Sequence, residues 1–234
     1  MRDNIRLILE QTQYFGIVLS IGAYLFACWL KNKTKLAILN PLLVSAALII
    51  GCILGVGMDY ETYNKGASYL SWLLTPATVC LAIPLYKQLH LLRKHAAAVA
   101  VGITSGVAAS AVSIFLMCKV LGMSHVHYVT LLPKSITTAI GMGISQEAGG
   151  IVTLTVMSII LTGVLGNVAG EAVLKFFKIQ HPVAKGLAMG TSAHAVGTAR
   201  ALEMGEIEGA MSSLSIAVAG LMTVIVAPLA ANLI

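Results

Sequence analysis

Apolar runs separated by short polar segments dominate the chain from end to end. Six of them are close to or above the length of about 20 residues that a helix needs to cross a bilayer. They occupy residues 13–30, 36–57, 68–86, 95–118, 151–174 and 207–233. The first is followed by the basic segment Lys31–Lys35, which is typical of a loop at the membrane surface. The pattern therefore predicts an all-α polytopic membrane protein.

Two further apolar stretches, 121–150 and 178–206, do not have the composition of lipid-facing helices. Gly, Ser and Thr are frequent in both, and both carry ionisable residues. These residues are Lys134, Glu147, His194, Arg200 and Glu203. An ionised Lys or Arg at the bilayer centre costs about 2.5–3.5 kcal/mol, so it must face a partner or a wet cavity. We expect broken segments here, with helix breaks at Gly141, Gly143, Gly190 and Gly197.

The two stretches repeat each other at an offset of 56 residues, without a gap. Gly141 falls on Gly197 and Glu147 falls on Glu203. Chance similarity between Ala- and Gly-rich segments is the alternative, but an alignment that includes a charged position favours duplication. Paired, glycine-interrupted segments indicate a transporter binding site between two repeats. We expect one membrane domain with a four-helix scaffold at 1–120 and inverted repeats at 121–177 and 178–234.

The distribution of Lys and Arg discriminates between two topologies. If the broken stretches also crossed the membrane, giving eight spans, six basic residues would lie inside and seven outside, against the positive-inside rule. If each stretch returns to its own side as a re-entrant hairpin, nine lie inside and four outside. The nine are Lys31, Lys33, Lys35, Lys87, Arg93, Lys94, Lys175, Lys178 and Lys185, and the four are Arg2, Arg6, Lys65 and Lys119. The charges therefore favour six full spans plus two re-entrant hairpins, with both termini outside.

Composition supports a membrane location and excludes several classes of protein. Apolar residues make up 58% of the 234 residues and charged residues only 10%, against about 25% in soluble domains. So few charges cannot cover a soluble enzyme or a nucleic-acid-binding module, and the net charge of +6 is better explained by cytoplasmic loops. The four cysteines lie in separate apolar runs without metal-ligand spacing. The sequence contains no catalytic or nucleotide-binding motif, so we expect no enzyme activity, metal or cofactor.

Hydroxyl-bearing residues surround the cations of the two broken stretches. Those after Lys134 are Ser135, Thr137 and Thr138, and those before Arg200 are Thr191, Ser192 and Thr198. His194 lies between Ser192 and Thr198 and adds an imidazole to this group. A cation with several O–H or N–H donors suits a small oxyanion, and broken helices supply further N–H groups. The pattern therefore predicts that these residues bind a small carboxylate. Arg200 is the first candidate for the carboxylate clamp, because its planar guanidinium binds a carboxylate in two places.

Each of these residues also has a structural explanation. Arg200 and Glu203 are three residues apart and can form an intrahelical ion pair. Lys134 can extend to the membrane surface. His194 can hold a structural hydrogen bond to a threonine, or, with a reference pKa of about 6.5, can carry a proton together with Glu203. The acidic residues near span ends are expected to be solvated; these are Glu171, Glu206 and Glu208.

Pairs of glycines four residues apart occur in three predicted spans. They are Gly51 and Gly55, Gly102 and Gly106, and Gly166 and Gly170. Such small-xxx-small pairs let helices approach closely. They favour tight helix packing or a dimer face, so we expect a homo-oligomer.

Four motifs are distinctive at the level of sequence. They are Leu-Leu-Pro-Lys-Ser-Ile-Thr-Thr at 131–138, Gly-Gly-Ile at 149–151, Ile-Leu-Thr-Gly at 160–163 and Gly-Thr-Ser-Ala-His-Ala-Val-Gly-Thr-Ala-Arg-Ala-Leu-Glu at 190–203. Together they resemble the LrgB/CidB family of antiholin-like membrane proteins, and the resemblance covers nearly the whole chain. Ala139 departs from the family pattern, in which many members carry Pro after the Thr-Thr pair.

The resemblance implies two functional hypotheses. Bacterial members are named for control of murein hydrolase export and lysis, whereas the plastid glycolate/glycerate translocator and bacterial pyruvate facilitators move small carboxylates. The resemblance also implies a bacterial cytoplasmic (inner) membrane location and a separate LrgA/CidA-like membrane partner. Because a holin-like pore needs no site at mid-membrane, the broken segments favour a carboxylate transporter. An antiholin-like regulator is the alternative, and a scaffolding membrane subunit is a third hypothesis.

Overall fold

The computed structural model describes residues 12, 14–34, 39, 41–73, 76, 79–80 and 82–234, whose regular secondary structure is entirely α-helical. The chain divides into two compact units, Met1–Cys80 and Leu81–Ile234. The helices of the first unit are α1 (Phe15–Thr34), α2 (Pro41–Val56) and α3 (Tyr60–Trp72). Those of the second are α4 (Ala82–Lys87), α5 (Leu89–Lys94), α6 (Ala96–Val120), α7 (His125–Leu131), α8 (Thr138–Glu147), α9 (Val152–Phe176), α10 (Pro182–Met204) and α11 (Glu206–Ala231).

In the first unit, α1 and α3 pack in direct backbone contact. A Cβ atom on Gly16 would meet the backbone nitrogen of Ala67 at 2.5 Å, so only glycine allows this approach. The Ser20 and Tyr63 hydroxyls hydrogen-bond across the same contact at 2.7 Å. Close backbone approach and one polar pair therefore hold these two helices together.

Among the residues that the structure describes, four helices are long and apolar enough to cross a membrane, namely α1, α6, α9 and α11. They lie on four of the six predicted runs, and the run 36–57 forms the shorter apolar helix α2. In the run 68–86 the structure describes α3 as far as Trp72, helical residues at 76 and 79–80, and α4 from Ala82. The prediction of one continuous span there stays a prediction. Residues 74–75, 77–78 and 81 of this run, and Arg2, Arg6 and Lys35 of the charge count, lie outside the described residues.

The chain reverses direction inside α10, at Ala193 and His194. These residues leave the helical conformation, with φ/ψ angles of −133°/18° and 41°/−138°. Two arms result, 182–192 and 195–204, and both pack on the start of α11. Contacts join Gly186 to Glu208 and Gly190 to Ser212 on the first arm, and Leu202 to Gly209 and Thr198 to Ser212 on the second. The order of these contacts makes the arms antiparallel, and they are termed the second hairpin.

The first hairpin consists of α7, the turn at 132–137 and α8. Thr130, near the end of α7, accepts a hydrogen bond from the backbone N–H of Ile151 at 2.8 Å. The carbonyl of Thr130 accepts another from the Thr155 hydroxyl at 2.9 Å. That hydroxyl lies 2.6 Å from Oγ of Ser145 in α8. The chain before and after the turn therefore lies beside the first turns of α9.

The two hairpins approach α9 from opposite ends. The first lies beside its N-terminal turns, and the second lies beside Leu174, which packs with Met189 and Ala201 from the two arms. Their inner ends reach the middle of the same helix, where Ile159 contacts Gly141 and Gly163 lies against the His194 ring. The order helix, break, helix, long helix thus occurs twice in this unit, first as α7, α8 and α9 and then as the two arms of α10 followed by α11.

Small residues on α6 and α9 hold the first arm and tip of the second hairpin between these helices. Gly102 and Gly106 contact it from α6, and Gly166 and Gly170 contact it from α9. The residues that they face are Leu187, Thr191, Ala193 and Met189, in that order. The predicted close approach is confirmed at these two pairs. In the third pair, a Cβ atom added to Gly51 would meet no described atom within 4 Å outside the backbone of α2.

The breaks in the two hairpins do not lie at the predicted glycines. Gly141 and Gly143 are inside α8, and Gly190 and Gly197 are inside the arms of α10. Three of the four instead serve close packing, since a Cβ atom there would collide with a neighbour. The prediction was wrong on this point because a glycine can be present either for its conformational freedom or for its small size, and the sequence alone does not distinguish the two.

Replacing Gly190 by Ala is expected to destabilise the protein. The new Cβ atom would lie 2.7 Å from Cβ of Ser215 and even nearer the Ser212 carbonyl, and such overpacking costs about 1–3 kcal/mol. Gly143→Ala is the matched control, because it has nothing within 4 Å and gains up to about 1 kcal/mol of helix propensity. Thermal unfolding of the purified variants measures both. A Gly190→Ala protein that unfolds at or above the temperature of Gly143→Ala would refute this packing.

Candidate functional site

A cavity of about 1070 Å³ runs along α6 and the first arm of the second hairpin and ends at the tip of the first hairpin. Polar residues from all three elements line its inner end. They are Ser110 of α6, Lys134 and Ser135 of the first hairpin, and Thr191 and Ser192 of the second. At the other end, His95 and His181 line the cavity with their rings 5.8 Å apart. The structure therefore brings polar residues of both predicted broken segments to one cavity.

Lys134 is the charged residue at the inner end of this cavity. It lies in the turn after the buried Pro133, which ends α7 because proline does not continue a helix. The half-buried Nζ donates to the Ser135 hydroxyl at 3.3 Å, and that hydroxyl pairs with Ser110 at 3.0 Å. No ion pair of the described residues includes Lys134. An ammonium carries three donors, so Lys134 keeps charge and donors for an anion in the cavity.

The hydroxyls near Lys134 are less available as donors. Thr191 and Ser192 donate to the helix carbonyls of Leu187 and Ala188, at 2.8 and 2.7 Å. Ser110 and Ser135 bond to each other. The Ser110–Ser135 bond uses only one of the two hydroxyl protons, so this pair keeps one further O–H donor for a solute, and Lys134 supplies the charged donors.

Five of the predicted binding residues do not line this cavity, and His194 and Arg200 are two of them. Thr137 is the N-terminal cap residue of α8 and Thr138 is its first residue, both outside the lining. Thr198 is fully buried, where its hydroxyl donates to the carbonyl of His194 at 3.0 Å and lies 2.7 Å from Oγ of Ser212. Thr198 therefore stabilises the reversal of the second hairpin against α11.

His194 forms the tip of the second hairpin and is buried. Its Nε2 donates to the carbonyl of Ile159 in the middle of α9, at 2.9 Å. The positive φ of 41° is a conformation that side-chain-bearing residues rarely adopt, and the ring contacts Gly163. Of the two interpretations from sequence, a structural hydrogen bond is present, although to a carbonyl rather than to a threonine. The role in proton transfer stays a prediction.

Arg200 lies in an ion-pair network on the second arm. Its guanidinium pairs with Glu203 on the same arm and with Glu171 of α9, and Glu171 also pairs with Lys175 at 2.8 Å. The intrahelical pair allowed by the sequence is thus present. Arg200 does not line the Lys134 cavity. The structure therefore does not bring the two predicted cations together.

Glu171 is the residue that sequence analysis missed. It was expected to be solvated, but it joins α9 to the second hairpin through Arg200. The sequence signal that could have identified Glu171 was its position within an apolar run. A charged carboxylate is costly to place in the membrane unless it has an ion-pair partner. Glu208 was expected to be solvated too, and it is buried at the start of α11.

Comparison with known proteins identifies the family. The model of the LrgB-like family matches residues 20–233, which include both hairpins and the whole of α6 and α9. The chain belongs to the LrgB-like family. Antiholin-like protein LrgB of Bacillus cereus and that of Bacillus anthracis are each 40% identical to it over 221 residues, covering 93% of this chain and 95% of theirs. No solved structure matches the chain.

Family membership confirms the resemblance drawn from the motifs. The matched range of the LrgB-like family contains Lys134, His194 and Arg200. It also spans all four helices that are long and apolar enough to cross a membrane, apart from the first turns of α1. The chain is therefore a multi-helix membrane protein of this family.

Proposed function

We propose that this protein passes small carboxylates such as pyruvate or glycolate across the bacterial cytoplasmic membrane. The observation that carries the proposal is Lys134, a half-buried cation without an ion-pair partner among the described residues, at the inner end of a large cavity. A carboxylate that enters the cavity gains a charge-assisted hydrogen bond from Nζ, which is stronger than a neutral one.

The arrangement of the hairpins supports a transporter with inverted repeats. They reach the middle of α9 from opposite ends, and α9 is long and apolar enough to span the membrane. In the proposed topology each hairpin is re-entrant and returns to its own side, and six full spans accompany them. Transporters with inverted repeats place their substrate where such broken segments meet.

The cavity lies along the first part of α6 and ends before its last two turns. Its lining begins at His95, just before α6, and continues to Ser113, from the end of the helix that the charge count assigns to the cytoplasm. From Ile114 onward, α6 belongs to a buried apolar cluster with Tyr128, Leu132 and the end of α11. Access from one side at a time is what a transporter requires, so we propose that this form faces the cytoplasm. His194, which has one ring nitrogen beyond its bond to Ile159, is the proposed proton carrier.

The second candidate function is antiholin-like control of lysis. Relatives at 40% identity carry that name, so this candidate has direct support from similarity. It would involve an LrgA/CidA-like membrane partner. The two candidates are compatible, because export of carboxylates changes the pH and the proton-motive force, and we propose lysis control as a consequence of that change.

Uptake of labelled pyruvate or glycolate into proteoliposomes tests the proposal. The wild-type protein is expected to accumulate label faster than empty vesicles, with saturation and with competition by the unlabelled acid. Uptake equal to that of empty vesicles, together with altered murein hydrolase activity in cells that express the protein, would refute transport and favour the antiholin-like function.

A further inference from the structure

A second, smaller cavity lies where α9 ends and α10 begins. Its volume is about 290 Å³, close to the lower limit of about 300 Å³ for small-ligand sites. Lys175, Lys178 and Lys185 line it together with Glu171 and Glu208, above an apolar floor of Leu174, Ile179 and Met204. It shares no basic residue with the cavity that ends at Lys134.

The charges around this smaller cavity leave a positive excess. Lys175, Glu171, Arg200 and Glu203 form the ion-pair network described above, which is neutral as a group. Lys178 and Lys185 belong to no ion pair of the described residues, and only the Glu208 carboxylate opposes them in the lining. The lining therefore carries one positive charge in excess, and the ammonium groups of Lys178 and Lys185 can both donate to an anion that enters the cavity.

The backbone fixes Lys178 at the rim of this cavity. The turn after α9 is closed by hydrogen bonds from the N–H groups of Lys178 and Ile179 to the carbonyls of Lys175 and Leu174, at 3.0 and 2.9 Å. Lys178 itself has a φ of 55°, in the left-handed region where helix ends usually carry glycine. A lysine at this position is held in a defined place despite the strain of its backbone.

An aromatic pair beside the cavity indicates that its ligand is a lipid. Phe176 and Phe177 are 80% and 67% exposed, and their rings meet edge to face with centroids 5.2 Å apart. Phe176 is the last residue of α9, which is long enough to span the membrane, and Phe177 follows it. An exposed Phe ring at a span end suits the boundary between the lipid headgroups and the acyl chains. The cavity is too small for a whole lipid, so acyl chains would lie along the two rings outside it.

We infer that the cavity lined by Lys175, Lys178 and Lys185 binds the phosphate of an anionic phospholipid headgroup. Lys178 and Lys185 supply the charge, and Phe176 and Phe177 contact the upper part of the acyl chains. Basic pockets between membrane helices are known to hold such headgroups.

Lipid retention by the full-length protein tests this inference. Protein reconstituted in equal amounts of phosphatidylglycerol and phosphatidylcholine is re-extracted in detergent, and the retained lipids are quantified. We expect the wild type to be enriched in phosphatidylglycerol. In Lys178→Gln/Lys185→Gln the enrichment should fall by about fivefold for each lysine removed, since a basic residue near the surface contributes about 1 kcal/mol. Lys87→Gln/Lys94→Gln, with the same charge change at exposed helix ends, should leave it unchanged.

Two further variants distinguish loss of lipid binding from loss of the folded structure. Lys178→Gly suits the positive φ at this position, so it should stay folded and still lose about fivefold in retention. Lys178→Arg/Lys185→Arg keeps both charges and should keep the enrichment. Equal retention of the two lipids by the wild type, or equal loss in the control pair, would overturn the inference. Displacement of phosphatidylglycerol by millimolar inorganic phosphate would also overturn it, because the site would then take the free anion.

Discussion

Lys134→Gln is expected to abolish most carboxylate uptake by the reconstituted protein while leaving the fold intact. Glutamine keeps the length and a donor but loses the charge, and a hydrogen bond to a charged group contributes about 1.5–3 kcal/mol. That energy corresponds to roughly 10- to 150-fold in affinity. Lys134→Arg keeps the charge and should keep part of the uptake. Initial rates in proteoliposomes measure both variants.

The matched control for this prediction is Lys119→Gln. Lys119 is an exposed lysine at the end of α6, outside the cavity, so its loss removes the same charge without changing the site. Because Lys134 has no ion-pair partner among the described residues, its replacement should not lower the unfolding temperature. Lys134→Gln protein that takes up carboxylate at the wild-type rate would show that the cavity is not the transport site.

The second large effect is expected at Arg200. Arg200→Gln leaves Glu171 and Glu203 without their shared cation, in a position between exposed and buried, so it should cost about 1–3 kcal/mol of stability. If the network holds the second hairpin against α9, then Arg200→Gln/Glu171→Gln removes both charges of that contact and should regain about half of the loss. The free energies of unfolding of Arg200→Gln, Glu171→Gln and the double variant together complete a double-mutant cycle.

Uptake by the same variants separates a structural role from substrate binding. A structural Arg200 predicts that the double variant recovers uptake together with stability. A carboxylate clamp, which the sequence suggested, predicts that the double variant is stable but stays inactive. Glu203→Gln is the control, because this side chain is 55% exposed and its ion pair should contribute less than about 1 kcal/mol.

The positions of the two hairpins could be predicted because polar residues in an apolar run need an explanation. Lys134 and Arg200 marked the two segments, and the offset of 56 aligned them, so that Thr138 and His194 correspond. In the structure Thr138 begins the second helix of the first hairpin, and His194 lies at the equivalent break of the second. Long apolar runs likewise located α6, α9 and α11.

Which face each hairpin arm presents could not be predicted. Spacing along the chain places Arg200 on the second arm, but the rotation of that arm turns its guanidinium to Glu171 and away from the Lys134 cavity. That rotation depends on tertiary contacts, such as the hydrogen bond of Thr198 to Ser212. The reversal at His194 rather than at a glycine has the same origin, because packing against Gly163 and the bond to Ile159 stabilise a backbone that local preference disfavours.

The central claim is that the two hairpins enter the membrane from opposite sides, and labelling from one side at a time tests it most directly. Gln146, in the last turn of α8, and Gln180, just before α10, are both exposed and lie at the outer ends of the first and second hairpin. Each is replaced by cysteine in a chain whose Cys28, Cys52, Cys80 and Cys118 have been changed to alanine. A membrane-impermeant thiol reagent should reach Gln180→Cys only from the cytoplasmic side and Gln146→Cys only from the opposite side. Reaction of both cysteines from the same side would contradict the account.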